Sequence, residues 1–366
     1  MSHRAQLGRR ALLAGLAAGA WAIPAVAHGG LRGPAATLPR AGLWPAPAPI
    51  EAAPALAAAL GLTGGLWMVR DDRAGATFND GTSLGGGKAR KLDLLLGDAL
   101  ARGVTTVATT GGIGSNHARA VAVAARALGL GCRLALLPEP STAATRRNLD
   151  AIAASGATVT VGGRDGVTRL AREAESSSGR IAWVPMGGTT PLGDLAFVEA
   201  AFELAAHVRS GAVPGPATVV TALGSGGSAV GLAVGLALAG LATRVEAVRC
   251  SSPSTSSRAA IDAEVQALVA WLRSQDPSIP DVTGEARARL SIATEQLGGG
   301  YAVSTAASRR ATALWRAHAG VELDGTYAAK AAAHVARGAP STAGPIVLWL
   351  GCDARWLSGA AASGGG

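Results

Sequence analysis

The chain has 366 residues, 49% of them hydrophobic and only 16% charged, which excludes general disorder and leaves room for more than one domain. Its formal charge of +9 is not gathered into a basic run beyond Arg4, Arg9 and Arg10 at the start, so no nucleic-acid-binding surface is implied. Three widely spaced cysteines, Cys132, Cys250 and Cys352, form no disulfide framework or metal-ligand pattern and read as small buried hydrophobes.

The first thirty residues, MSHRAQLGRRALLAGLAAGAWAIPAVAHGG, combine a basic start, an apolar run from Ala11 to Ala22 and a cleavage-like Ala25-Val26-Ala27. This predicts an export signal over residues 1–27, and the pair Arg9-Arg10 points to the twin-arginine route, which carries folded proteins. The mature protein is then periplasmic or secreted, with no stable membrane association; an uncleaved signal would make it membrane-anchored. The run is broken by glycines and Pro24 and is short for a membrane span. Residues 28–47, rich in Pro, Gly and Ala, read as a linker or irregular arm.

Apolar, β-rich runs then recur at TTVATTG (105–111), CRLALLP (132–138), ATVTVGG (157–163), IAWVPMG (181–187), TVVTALG (218–224), RVEAVRC (244–250) and PIVLWLG (345–351). Helix-length segments lie between most of them. Near-continuous apolar strands alternating with helices predict an α/β fold whose parallel sheet is covered on both faces. The acid- and polar-rich stretch from Pro253 to Gly300 is expected to hold helices and loops without strands. Three strands run into glycine-rich turns, at the carboxyl edge where open α/β sheets place ligands.

Four stretches could carry chemistry. LGGGKARKLDLLLGDAL (84–100) holds Lys88 and Lys91, and the chain has only one other lysine, Lys330, against thirty arginines. Arginine serves equally well as a solvated charge but cannot act as an amine nucleophile, so a retained lysine is informative. In TTGGIGSNHARAV (109–121), Ser115 and Asn116 precede a helical pattern and can cap it, leaving N–H groups free for a carboxylate. ALGSGGSAVGL (222–232) places Gly224, Ser225, Gly226, Gly227 and Ser228 between a strand and a helix, a device for holding phosphate. The same stretch also fits a dinucleotide fingerprint, with Gly224, Gly226, Ala229 and the downstream Glu246, which keeps an NAD-dependent oxidoreductase as a remote alternative. Finally, the only two tyrosines are Tyr301 in GGGYAVST and Tyr327 in LDGTYAAK.

Taken in order with VPMGGTTPLGDLAFVEAA, these blocks resemble the D-cysteine desulfhydrase and 1-aminocyclopropane-1-carboxylate deaminase family of fold-type II pyridoxal-phosphate enzymes, over about residues 45–352. The resemblance implies a tryptophan-synthase-β-like, three-layer α/β/α fold with two open twisted sheets. A large cofactor domain would comprise residues 48–90 and 189–360, and a small domain residues 91–188. It implies pyridoxal 5'-phosphate as cofactor, a small amino-acid substrate and a homodimer. Lys88 would bond the cofactor, with Lys91 one helical turn later as its auxiliary partner; burial and a second cation lower a lysine pKa from about 10.4 toward neutrality. Asn116 would contact the cofactor's ring oxygen, Ser115 with the His117 backbone would hold the substrate carboxylate, and Gly224 to Ser228 would bind the phosphate. Tyr301 and Tyr327 would lie over the reacting carbon, with Tyr327 as acid, base or nucleophile.

Four departures from the family pattern stand out: Gly87 for the usual Asn, Gly114 for Gln, Ala328 for a side chain facing the ring nitrogen, and Cys352 for a glycine. The loss of an acid beside that nitrogen disfavours cyclopropane ring opening and suits β-elimination. The expected activity is therefore a lyase or deaminase most like D-cysteine desulfhydrase. The alternatives are a cyclopropane deaminase, a β-replacement enzyme, or a cofactor-binding member with weak or lost activity.

Overall fold

The computed structural model describes residues 37–139, 141–338 and 344–357; the predicted export signal and residues 28–36 of the predicted arm lie outside the described residues. Along the chain run β1 (Ile50–Ala52), α1 (Pro54–Ala59), β2 (Leu66–Val69), β3 (Gly75–Thr77), β4 (Ser83–Gly85), α2 (Gly87–Ala101), β5 (Thr106–Gly112), α3 (Asn116–Ala127), β6 (Gly131–Leu137), α4 (Ala143–Ala154), β7 (Thr158–Val161), α5 (Arg164–Glu175) and β8 (Ile181–Val184). The second half continues with α6 (Pro191–Arg209), β9 (Thr218–Leu223), α7 (Gly227–Leu238), β10 (Arg244–Arg249), α8 (Arg258–Gln275), α9 (Thr283–Arg289), β11 (Leu290–Ala293), α10 (Ala306–Ala319), α11 (Ala328–Ala336), β12 (Ile346–Trp349) and α12 (Ala354–Leu357).

Two open sheets result. The smaller is wholly parallel in the order β7-β6-β5-β8. The larger runs β1-β2-β12-β9-β10-β11 and is parallel except for β1, which pairs antiparallel with β2. β12 and β9, at the centre of the larger sheet, bury nearly every residue, which is why their sequences are apolar without alternation. One face packs on α6, α7 and α8 and the other on α1, α10 and α11. α2 and α3 cover one face of the smaller sheet, and Leu170 of α5 packs on the other.

All seven predicted strands are present, but the stretch from Pro253 to Gly300 is not strand-free. β11 (LSIA) pairs parallel with β10 as an edge strand with only its first residue buried, so it carries no continuous apolar run to read. β7 is exposed along its whole length for the same edge reason.

Two packing features position the cavity described below. Arg90 of α2 is buried between Asp71 (2.9 Å) and Glu203 of α6 (2.7 Å), and its guanidinium stacks 4.2 Å over Trp44. The described part of the arm lies on the same helix: Leu43 N–H donates to Asp93 at 2.8 Å, and a side chain at Gly97 would strike Arg40 Cα at 2.6 Å. The second feature is the contact of α6 with α7, where Gly231 and Gly235 let the backbones touch. A Cβ at Gly235 would lie 2.6 Å from Ala201 Cβ and 2.7 Å from the Val198 carbonyl oxygen. Backbone cannot yield as a side-chain tip can. Gly235→Val is therefore expected to destabilise the protein by about 1–3 kcal/mol, read as a lowered thermal unfolding midpoint.

Candidate active site

The carboxyl ends of the central strands of both sheets open into a cavity of about 380 Å³, in the size range of small-molecule sites. Lys88, Ser115, Asn116, the Gly224–Gly226 turn, Tyr301 and Tyr327 all line it, as do His117 and Ser228.

Lys88 sits in the first turn of α2, following Gly86, whose φ of 76° suits glycine. Its Nζ lies 3.4 Å from the Gly187 carbonyl oxygen. Burial first, and then the nearby Lys91 charge, lower its pKa to about 7, against the opposing pull of Asp194 and Cys352. A large share of the side chain is therefore a neutral amine near pH 7.

Across the cavity, the chain leaves β9 through Gly224 and Ser225 and enters α7 at Gly226, whose φ is 112°. No side chain caps this helix, so the N–H groups of its first turn remain available to an anion. Lys91 and Gly227, expected at the cofactor, are not in the cavity wall. Lys91 lies behind the turn, in an ion pair of 2.7 Å with Asp194 of α6, and both side chains are at most 3% exposed. A buried ammonium requires a partner, and this one consumes Lys91. A side chain at Gly227 would run into both members of the pair.

Ser115 caps α3, accepting from Ala118 N–H at 3.2 Å. Asn116 Oδ1 accepts from Asn148 Nδ2 at 2.9 Å, and its own Nδ2 lies 3.7 Å from Cys352 Sγ. Cys352 thus lines the cavity instead of filling a core. The His117 ring is buried against Thr109 Oγ1 at 3.0 Å; burial, then the Lys88 and Lys91 charges, push its pKa well below the usual range, so it is neutral. Two of the departures have packing causes. A Cβ at Gly87 would lie 2.8 Å from the buried ring of Phe197, and one at Gly114 2.6 Å from Glu139 Oε1. The Glu139 carboxylate instead accepts from Gly114 N–H at 2.7 Å.

Tyr327 donates its hydroxyl proton to Tyr301 at 3.2 Å, with the rings edge to face. Burial pushes Tyr301 up to about 12 and Tyr327 well above the usual phenol range, so both are protonated at neutral pH. Each tyrosine is held by a residue that sequence reasoning missed. Asp324 accepts from the backbone N–H groups of Thr326 (3.1 Å), Tyr327 (2.7 Å) and Ala328 (2.9 Å). Lys330, fully buried, donates to the Leu297 and Gly300 carbonyls at 2.8 and 2.9 Å and so fixes the loop leading into Tyr301. The Asp-x-x-Tyr spacing was the available signal for the first. Nothing in the sequence marked Asp194, Glu139 or Arg119, which also shape the site. Glu246, the acid of the dinucleotide reading, is instead paired with His334 at 2.7 Å and does not line the cavity.

A family model described as "Pyridoxal-phosphate dependent enzyme" matches residues 43–352, and the chain belongs to that family. It is 33% identical over 310 residues to the D-cysteine desulfhydrase of Salmonella schwarzengrund, covering 81% of this chain and 87% of that protein. It is 32% identical over the same length to the D-cysteine desulfhydrase of Salmonella newport. A solved structure of an ACC deaminase homologue superposes with a TM-score of 0.72 at 25% identity, covering 89% of this chain and 95% of that one. A fungal L-serine ammonia-lyase from Rhizomucor miehei, at 17% identity with a TM-score of 0.56 over 84% of this chain and 93% of that one, shares the fold. The fold is thus the tryptophan-synthase-β-like fold of type II pyridoxal-phosphate enzymes, within the D-cysteine desulfhydrase and ACC deaminase family.

The residues present fit the cofactor. A neutral buried amine and an uncapped glycine turn at a helix N-terminus face one cavity, ready for an aldehyde and a phosphate. Lys91→Met is expected to raise the Lys88 pKa by about one unit or more, because it removes the repelling cation and frees the Asp194 carboxylate. The pH midpoint of Lys88 acylation in cofactor-free protein measures this, and it should move upward.

Proposed function

We propose that the protein is a pyridoxal-phosphate-dependent lyase that eliminates the β-substituent of a small amino acid, with D-cysteine the best match among substrates. The reading rests foremost on one observation: the neutral amine of Lys88 shares its cavity with a protonated tyrosine pair and the glycine turn. The similarity to D-cysteine desulfhydrases supports the substrate. Bound pyridoxal phosphate supplies an aldehyde for the substrate amine and an electron-poor ring to take up the charge left by a departing α-proton. Gly224 to Gly226 and Ser228 hold the phosphate, and Asn116 meets the ring oxygen. The N-terminal turn of α3, through Ser115 and the His117 backbone, orients the substrate carboxylate. Lys88, a large share of it neutral near pH 7, takes the α-proton, with Ser115 as the other candidate base. Because their phenols stay protonated, Tyr327 and Tyr301 act as proton donors toward the leaving group and not as bases.

Ala328 lines the cavity where the family carries a polar side chain. Of the acids in the wall, Asp324 is spent on backbone N–H groups, Asp353 on Arg355, and Glu139 accepts from Gly114 N–H. This favours elimination, in which the leaving group takes the electrons, over ring opening. Purified holoenzyme is expected to release pyruvate, ammonia and sulfide from D-cysteine, and Lys88→Ala to lose at least about 10²–10⁴-fold in rate. Yellow protein that releases neither pyruvate from D-cysteine or D-serine nor ammonia from these or from 1-aminocyclopropane-1-carboxylate would refute the activity.

Export and assembly belong to the same proposal. The segment Arg9 to Ala27 supports twin-arginine export of the folded, loaded enzyme, and the family resemblance supports a homodimer, each chain having a large and a small domain. A mature N-terminus after Ala27 in periplasmic fractions, and light scattering at twice the chain mass, are the expected results.

A further inference from the structure

Arg119 lies three residues after Asn116 and four after Ser115 on the twelve-residue α3, hence on the helix face that meets the cavity, and it lines the wall. It is only 3% exposed. Its Nε and Nη1 are shielded from water and have no acceptor among the described residues. The guanidinium is held in place, stacked 4.2 Å over Trp356, whose own Nε1 is fixed to Asn148 Oδ1 at 2.8 Å. Asp353 acts on the guanidinium's charge through space, but no hydrogen bond joins the two among the described residues. The Asp353 carboxylate is bound to Arg355 at 3.0 and 3.3 Å. The Cys352 thiol is kept protonated by burial, and Asn116, a neutral amide, has its Oδ1 on Asn148 and its Nδ2 3.7 Å from Cys352 Sγ. A guanidinium cannot shed its proton, so Arg119 presents a fixed positive charge to the cavity with its Nε and Nη1 donors unused among the described residues.

We propose that Arg119 is an anion-binding residue of this cavity, completed by an oxyanion that arrives with the ligands. That oxyanion is either an acidic group on the substrate's side chain or the phenolate of the bound cofactor. The first would make Arg119 a specificity residue for amino acids with an anionic side chain; the second would make it a cofactor residue holding charge at the ring. The inference rests on the cavity holding pyridoxal phosphate and an amino acid, and not on turnover, so a failure to release pyruvate leaves it open to test.

The test uses holoenzyme and the visible band of the bound cofactor, in the unaltered protein and in Arg119→Met. If the anion is the substrate's, Arg119→Met weakens spectral titration by D-aspartate by about tenfold or more and leaves D-alanine unchanged. If it is the cofactor's, the ligand-free band and its titration between about pH 6 and 9 shift instead, and Arg119→Lys restores part of the shift. Should Arg119→Met fail to fold, Arg119→Gln, neutral but able to hydrogen-bond, is read in the same way. A folded, cofactor-loaded neutral variant with the original band, the original pH titration and both affinities within about twofold would overturn the proposal and leave Arg119 a packing partner of Trp356.

Discussion

The site is organised around one buried ion pair, Lys91 with Asp194. It joins α2, which carries Lys88, to α6, and it is wedged beneath the first turn of α7, which carries the glycine turn. Any side chain at Gly227 would displace it, and the carbonyl of Asp194 itself abuts Gly231 one turn further along α7. Three helices are thus registered on one another by two charges and two glycines. Removing one partner of such a pair strands the other in a low-dielectric interior, which typically costs about 3–5 kcal/mol. The pair also tunes the chemistry. The ammonium of Lys91 depresses the Lys88 pKa and the carboxylate of Asp194 partly restores it, so their balance keeps the amine near neutrality.

A similar division of labour holds on the opposite wall. Tyr301 and Tyr327 come from segments 26 residues apart, and their hydroxyls meet at 3.2 Å only because each backbone is pinned separately. Asp324 spends both carboxylate oxygens on the turn that carries Tyr327, and Lys330 spends its ammonium on the loop that carries Tyr301. Thus the third lysine of the chain is structural where the first is chemical. The rarity of lysine in this composition flags all three, yet it does not distinguish an amine kept for its nucleophile from one kept for its donors.

The same limit governs how much could be read without a structure. β5, β6, β9, β10 and β12 were legible because strands buried on both faces are apolar throughout; β1, β3, β4 and β11 were not, being three or four residues long and placed at edges or in a hairpin, nor was β2, only four residues long between β1 and β12. Glycine turns and rare side chains gave most of the cavity wall. The acids that position them, Asp194, Asp324 and Glu139, look like any surface acid in sequence, since only tertiary contact decides which carboxylate is buried beside which donor. The family departures at Gly87 and Gly114 were visible but unexplained, until Phe197 and Glu139 were found in the space a side chain would need.

These local solutions add up to a definite field. At neutral pH the thiol of Cys352, the imidazole of His117 and both phenols are uncharged, and the amine of Lys88 is close to it. Asp353 is paired with Arg355, Asp324 is held by backbone N–H donors, and Glu139 has one oxygen on Gly114 N–H. The groups available to an anion are the uncapped N-terminal turn of α7, the first N–H groups of α3 beside the Ser115 cap, and the guanidinium of Arg119. A cavity so arranged offers donors to phosphate and carboxylate. It also leaves Lys88, with its pKa lowered to about 7, beside the place where both anions would be held.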